Sequence, residues 1–228
     1  MSDGSERVGS TSVSSTLRES LSYQPVELAF GTSGLRGLVR GITCLEAYAA
    51  TRGFLAACAR EGGRRGGARV CLAGDLRPST ERIMVAAARA VMDEGMAVVH
   101  LGRIPSPALM AYAVRRGWPS VMVTGSHIPF DRNGIKFNTA TGEVTKGGER
   151  GILAEASSAR EREYARPAGE SIFDSSGALR PAHRPALPPV LEEARAEYIS
   201  RYLSAFARGP LEGRRGEASP SSPWIRKR

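Results

Sequence analysis

Apolar residues recur with two different periods along this chain. Short runs rich in Val, Leu and Ile at 26–30, 69–73, 97–101, 120–124 and 134–138 predict β-strands. Between them the spacing lengthens to that of a helix. Thr43 with Glu46 three residues on predicts a capping box, and Ala47, Ala50, Phe54, Leu55 and Cys58 then share one face as far as about residue 60. Ser79 predicts the cap of a second helix to about 93. Pro105 and Pro107 open a third over 107–115, and another begins near Gly147. Gly31 to Gly37 reads as a glycine-rich turn. This strand–helix rhythm predicts an α/β fold, a layered α/β/α domain with a mainly parallel mixed sheet. Helical spacing returns at 191–207 with Leu191, Ala194, Tyr198, Ile199 and Tyr202.

The pattern also divides the chain. Residues 1–22, rich in Ser and Gly, are expected to be disordered, and 23–165 hold the main domain. Residues 166–189, rich in Pro, Ser and Gly, read as a linker. Residues 190–208 read as the start of an incomplete second domain, and 209–228 as a disordered basic tail.

Composition narrows the function. At 228 residues with 41% hydrophobic content, the chain can bury an ordinary core. It has no uncharged apolar run long enough to span a bilayer and no signal-peptide h-region, so no membrane partner is expected and the cytoplasm is the expected location. The net charge of +9 invites a nucleic-acid reading, but its distribution opposes it. Nearly all of the charge is Arg, much of it in loops and the tail, and the 6% of aromatics do not interleave with it. Arg suits a small phosphorylated ligand equally well, because its planar fork grips phosphate at two points. Three dispersed cysteines (44, 58, 71) and three dispersed histidines (100, 127, 183) lack the spacing of a zinc site.

The chemistry concentrates at 124–136, Thr-Gly-Ser-His-Ile-Pro-Phe-Asp-Arg-Asn-Gly-Ile-Lys. Ser126, His127, Arg132 and Lys136 fall in a loop beyond a predicted strand end, where α/β sheets bind ligands. A Gly-x-Ser-x-Gly elbow is absent, and adjacent Ser and His side chains do not form a hydrolase dyad, so acyl transfer is disfavoured. Two further turns favour phosphate. Gly31 to Gly37 carries Thr32, Ser33 and Arg36, a composition suited to an anion-binding nest, although it lacks the Gly-Lys-Ser/Thr ending of a P-loop. Gly74-Asp75-Leu-Arg77-Pro-Ser79 puts an Asp and an Arg between a strand end and a helix cap, where an ion pair that positions the loop is an equal reading.

Phe30-Gly-Thr-Ser-Gly-Leu-Arg-Gly37, Gly74-Asp-Leu-Arg-Pro-Ser79 and Thr124-Gly-Ser-His-Ile-Pro129 with Asn133-Gly-Ile-Lys136, taken in order, resemble the signatures of the α-D-phosphohexomutases, the phosphomannomutase and phosphoglucomutase family, over roughly 25–207. The resemblance implies a mutase that interconverts hexose 6-phosphate and hexose 1-phosphate through a phosphoserine and a bisphosphate intermediate. Ser126 would carry the phosphoryl group, with His127, Lys136 and Arg36 as its catalytic neighbours. Thr32, Ser33, Arg36, Arg77 and Arg132 would bind phosphate or substrate. Mg²⁺ would meet Ser126 through its phosphate, and hexose 1,6-bisphosphate would serve as activator. Gly125 and Ile128 stand where many relatives have Ala and Asn.

The later domains of that family contribute an acidic metal loop, a sugar loop and a phosphate clamp, none of which is found in this sequence. The chain is therefore expected to be a truncated or frame-shifted mutase, catalytically incomplete, with weak Mg²⁺ affinity. Its uncovered face is expected to favour self-association. The alternative is a non-catalytic sugar-phosphate-binding or assembly module.

Overall fold

The structure, a computed structural model, describes residues 15–31, 34–60 and 68–206. Seven strands form one mixed sheet: β1 (Ala29–Phe30), β2 (Leu35–Leu38), β3 (Arg69–Gly74), β4 (Ala97–Arg103), β5 (Ser120–Val123), β6 (Arg132–Thr139) and β7 (Gly142–Glu143). The main path runs β1-β2-β6-β5-β3-β4, with β7 paired to β6. Parallel pairing is confined to β3 with β4 and β3 with β5, while the pairs made by β1, β2, β6 and β7 are antiparallel. The sheet is mixed, as expected, but its parallel pairs are confined to the β5-β3-β4 end rather than making up most of it. The antiparallel half arises because β6 returns directly from the Ser126 loop with no crossover helix between.

Alternation along the strands builds two cores, one on each face. Val70, Leu72, Val121, Val123, Ile135 and Phe137 point to one side, under α2 (Cys44–Arg60), α3 (Thr80–Asp93) and α5 (Lys146–Tyr164). Cys71, Ala73 and Met122 point to the other, under α4 (Ser106–Arg115) and α6 (Glu193–Ala205). This is the α/β/α layering expected from the sequence.

Local signals account for the elements and for their departures from expectation. Thr43 Oγ1 accepts from the Glu46 amide at 3.3 Å, but the Glu46 carboxylate turns inward to Tyr164 Oη at 2.8 Å, so half of the capping box is exchanged for a tie between α2 and α5. The glycine turn is shorter than expected. Gly34, at φ 83°, closes it by accepting from the Gly31 amide at 2.9 Å, which frees Leu35–Leu38 to pair with β6.

Two segments expected to be disordered or linking are packed, and so is the helix expected to begin a second domain. Residues 16–22 belong to the fold rather than to the disordered stretch expected to end at 22. Thr16 and Glu19 cap the short helix α1 (Leu17–Ser20), and Leu17 is fully buried. Residues 1–14 and 207–228 lie outside the described residues, so the whole of the expected basic tail does too. The 166–189 linker is anchored by Phe173 and Leu179, both fully buried, with Phe173 edge-on to Tyr48 at 5.4 Å. Arg180 ties its backbone by donating to the Ser171 and Ala168 carbonyls. Finally, α6 packs its first turns on α4 rather than opening a separate unit. Ala194 is buried, Tyr112 donates to Glu193 at 2.7 Å, and Arg116 bridges Glu193 and Glu197. No helix among the described residues is long and apolar enough to cross a membrane.

Candidate functional site

Strand β5 ends at Val123, and the chain turns through 124–131 before β6 begins. Ser126 sits at the apex with φ 52°, the one non-glycine residue among those described with a positive φ. That left-handed conformation costs on the order of 1–3 kcal/mol and persists only where neighbours impose it. Here the Ser126 amide donates to Thr124 Oγ1 at 2.9 Å, the Thr124 amide reaches the Gly134 carbonyl at 3.0 Å, and the Ile128 amide reaches that of Gly125 at 3.0 Å. The backbone is held while the Ser126 and His127 side chains stay exposed. Ser126 Oγ lies 3.5 Å from His127 Nδ1, too long for an activated dyad.

The Gly74–Ser79 turn is the scaffold beneath this loop. Asp75 Oδ1 accepts from Thr80 Oγ1 and from the Arg77 amide at 3.0 Å, and its Oδ2 accepts from the Gly125 amide at 2.9 Å. Burial alone would raise the Asp75 pKa. The hydrogen bonds from Thr80, the Arg77 and Gly125 amides and Thr124 outweigh it and hold the carboxyl below its ordinary value. Arg77, expected to bind phosphate, is only 8% exposed and spends its guanidinium on the loop. It donates to the carbonyls of Pro129 at 2.6 Å, Arg132 at 3.1 Å, Ser126 at 3.4 Å and Ile128, while pairing with Asp75 at 3.4 Å. With these donors committed, its role is to shape the loop. A Cβ on Gly125 would collide with the Arg77 guanidinium, so glycine there is what lets that group pass beneath Ser126.

Asn133, fully buried, is a member of this framework that the sequence reading left out of the site. Its Nδ2 donates to Ser79 Oγ at 2.9 Å and Thr80 Oγ1 at 3.1 Å, and its Oδ1 accepts from the Gly134 amide at 2.8 Å. The signal was present as Asn-Gly two residues before Lys136, but nothing in the sequence gave its partners. Ser79, expected to cap α3 with its side chain, makes no cap bond and takes this Asn133 contact instead.

The cations come from β2 and β6. Arg36 pairs with Gly134 across the ladder, and Lys136 lies two residues further along β6, so both side chains occupy the sheet face opposite Leu35 and Ile135. That face is covered by α4 over β3 and β5, with α6 packed on α4, leaving the β2–β6 end to Arg36 and Lys136. Arg36 Cγ lies across Gly134, 3.3 Å from where a Cβ would stand, while Lys136 packs over Gly34. Neither makes a hydrogen bond or ion pair with another described residue. Arg132 is exposed at the start of β6, and its carbonyl is taken by Arg77. Thr32 and Ser33 lie outside the described residues. Ser126, His127, Arg36 and Lys136 are thus brought to one end of the sheet, and Arg77 is withdrawn beneath it.

The residues present do not assemble a set fitted to Mg²⁺. Among those described no group of three His, Cys, Asp or Glu side chains could hold a metal, and the Asp75 oxygens are spent on the loop. A separate cleft of about 620 Å³ opens between α3, the end of β4 and residues 185–195, and touches none of Ser126, Arg36 or Lys136.

An α/β/α domain that holds a strained, exposed serine beyond the end of β5, with two cations on the nearby strands β2 and β6 that make no hydrogen bond or ion pair with another described residue, has the build of a phosphate-handling domain. Comparison with known proteins makes this specific. Residues 27–163 match the family model described as phosphoglucomutase/phosphomannomutase, alpha/beta/alpha domain I, so the chain belongs to that family. It is 37% identical over 186 residues to a phosphomannomutase of Salmonella muenchen, covering 82% of this chain and 34% of that protein. It is also 37% identical over 119 residues to a phosphoglucosamine mutase of Bordetella petrii, covering 50% of this chain and 26% of that one. A crystal structure of a putative phosphomannomutase from Thermus thermophilus shares the fold with a TM-score of 0.54 at 24% identity, over 78% of this chain and 37% of that one. The chain spans from about a quarter to a little over a third of the length of these relatives.

Proposed function

We propose that this chain is the phosphoserine-carrying domain of a phosphohexomutase, with Ser126 as the carrier. In the reaction, phospho-Ser126 passes its phosphoryl group to the free hydroxyl of a hexose monophosphate. The resulting hexose 1,6-bisphosphate then returns its other phosphate to the Ser126 oxygen. The oxygen–phosphorus bond broken in each half is replaced by one to the acceptor oxygen, so the serine is regenerated in the phosphorylated form. Phosphoryl transfer depends on positioning and on cations that meet the charge of the equatorial oxygens, more than on a strong base. Arg36 and Lys136 supply that charge in this reading, His127 flanks the phosphate, and Arg132, Thr32 and Ser33 bind phosphate or substrate. A cytoplasmic location accords with soluble sugar phosphates as substrates.

The observation that carries the proposal is the strained backbone of Ser126, fixed from below by Arg77 and Asp75 while its hydroxyl remains exposed. The test is intact-mass spectrometry after incubation with hexose 1,6-bisphosphate and Mg²⁺. The expected outcome is the addition of one phosphoryl group, mapped to Ser126 and lost in Ser126→Ala. A chain that stays unmodified while still binding sugar phosphate would replace the carrier by the second reading, a binding module without turnover. That reading draws on the missing carboxylate set for the metal among the described residues.

A further inference from the structure

The two most exposed of the large apolar side chains described are both on the loops that build the Ser126 site: Phe130 at 78% and Leu76 at 72%. Phe130 is far from random in its placement. The Arg77 guanidinium lies 4.8 Å from its ring centroid, and the same guanidinium sits under Gly125 and reaches the Ser126 carbonyl at 3.4 Å. One ring face is therefore held against a buried cation, and that cation is itself fixed by four loop carbonyls and Asp75. The rest of the ring is open to solvent. A fixed aromatic beside a phosphate site presents an apolar platform to whatever is attached to the phosphate, and ligand sites characteristically combine such a surface with a few placed polar groups.

Resting on the proposed function, we infer that Phe130 is a substrate-positioning residue whose exposed ring receives the carbon-bound hydrogens of the hexose while the phosphate is held at Ser126, Arg36 and Lys136. Phe130 follows Ser126 by four residues on the same loop, and both side chains are exposed. Leu76, which precedes Arg77 on the adjoining turn, is a second exposed apolar side chain close in sequence to the group that holds the ring. Inorganic phosphate has no carbon surface and gains nothing from either residue.

That difference supplies the test. Wild type, Phe130→Ala and Phe130→Tyr are titrated with mannose 6-phosphate, glucose 6-phosphate and inorganic phosphate, and saturation-transfer NMR is recorded with irradiation of the aromatic envelope. Phe130→Ala is expected to weaken at least one hexose phosphate about fivefold, the usual scale of an aromatic contact. It should also abolish transfer to the sugar ring protons while inorganic phosphate binds as before, and Phe130→Tyr should restore both. Equal weakening of phosphate and hexose phosphate would make the ring a prop for Arg77 and overturn the inference, as would unchanged hexose phosphate affinity. Wild type that binds none of the three probes rejects the phosphate site of the proposed function, and this inference with it.

Discussion

Arg77 shows how much of this site rests on one buried side chain. Its guanidinium donates to the carbonyls of Ser126, Ile128, Pro129 and Arg132, and so braces the loop that holds Ser126 in the left-handed region. Arg77→Met preserves the bulk but removes these bonds, so urea denaturation should show a loss of about 3 kcal/mol. Phosphoryl uptake at Ser126 should fall with it, because the loop relaxes. Asp75 gives the site a pH dependence. Its folded pKa is below the ordinary value, so its contribution is fully present above the unfolded pKa and is lost as pH falls through the folded one. Asp75→Asn should therefore be less stable at neutral pH and approach wild type in acid, as a series of urea melts across that range would reveal. The Ser126 loop was legible in sequence because its Gly, Pro and Asn punctuation follows a β-branched run. Arg77's inward direction was not, since an Asp-x-Arg turn fits phosphate binding and loop bracing equally well, and only the Gly125 gap decides between them.

At the scale of elements, polar contacts decide where several pieces attach. The α4–α6 seam holds Arg116, whose guanidinium stacks 3.5 Å over the Tyr112 ring and pairs with Glu197 at 2.6 Å. Replacing Arg116 by Ala should free α6 from the sheet without unfolding it. Hydrogen exchange would then rise across 193–205 and stay unchanged in β3 and β5, whereas a rise in the strands as well would mean the seam supports the whole domain. Elements with a single strong period, such as α3 and β3, were readable from the sequence to within a residue or two. The misreadings come from segments whose average composition hides one anchor. Leu17 inside a Ser-rich stretch and Phe173 inside a Pro-rich one are each fully buried, and a single buried apolar residue has no period. The antiparallel half of the sheet escaped for a related reason. β6 follows β5 through a loop of eight residues, and the direction of return depends on Arg77 and Asn133 bracing that loop from β3 and α3.

For the whole molecule, the remaining question is what its exposed apolar surface does in solution. Along the last turns of α6, Ile199, Tyr202, Leu203 and Phe206 recur at helical spacing and all are exposed, Leu203 by 67%. Tyr202 contacts Tyr198 at 4.9 Å and Phe206 at 6.4 Å, so the rings form one ladder rather than scattered side chains. A continuous apolar stripe of this kind is unusual on a monomer and gains free energy by pairing with another copy of itself. Because the stripe lies on the outer side of α6, away from the α4 seam, such pairing leaves the Ser126 loop open. Sedimentation velocity should therefore show an average mass that rises with protein concentration. High salt should leave this rise intact, since screening weakens charge contacts but not apolar burial. Leu203→Glu with Phe206→Glu should return the chain to a monomer whose thermal midpoint no longer depends on protein concentration. A wild-type chain that is monomeric over the whole concentration range would mean that the stripe makes no stable contact between copies.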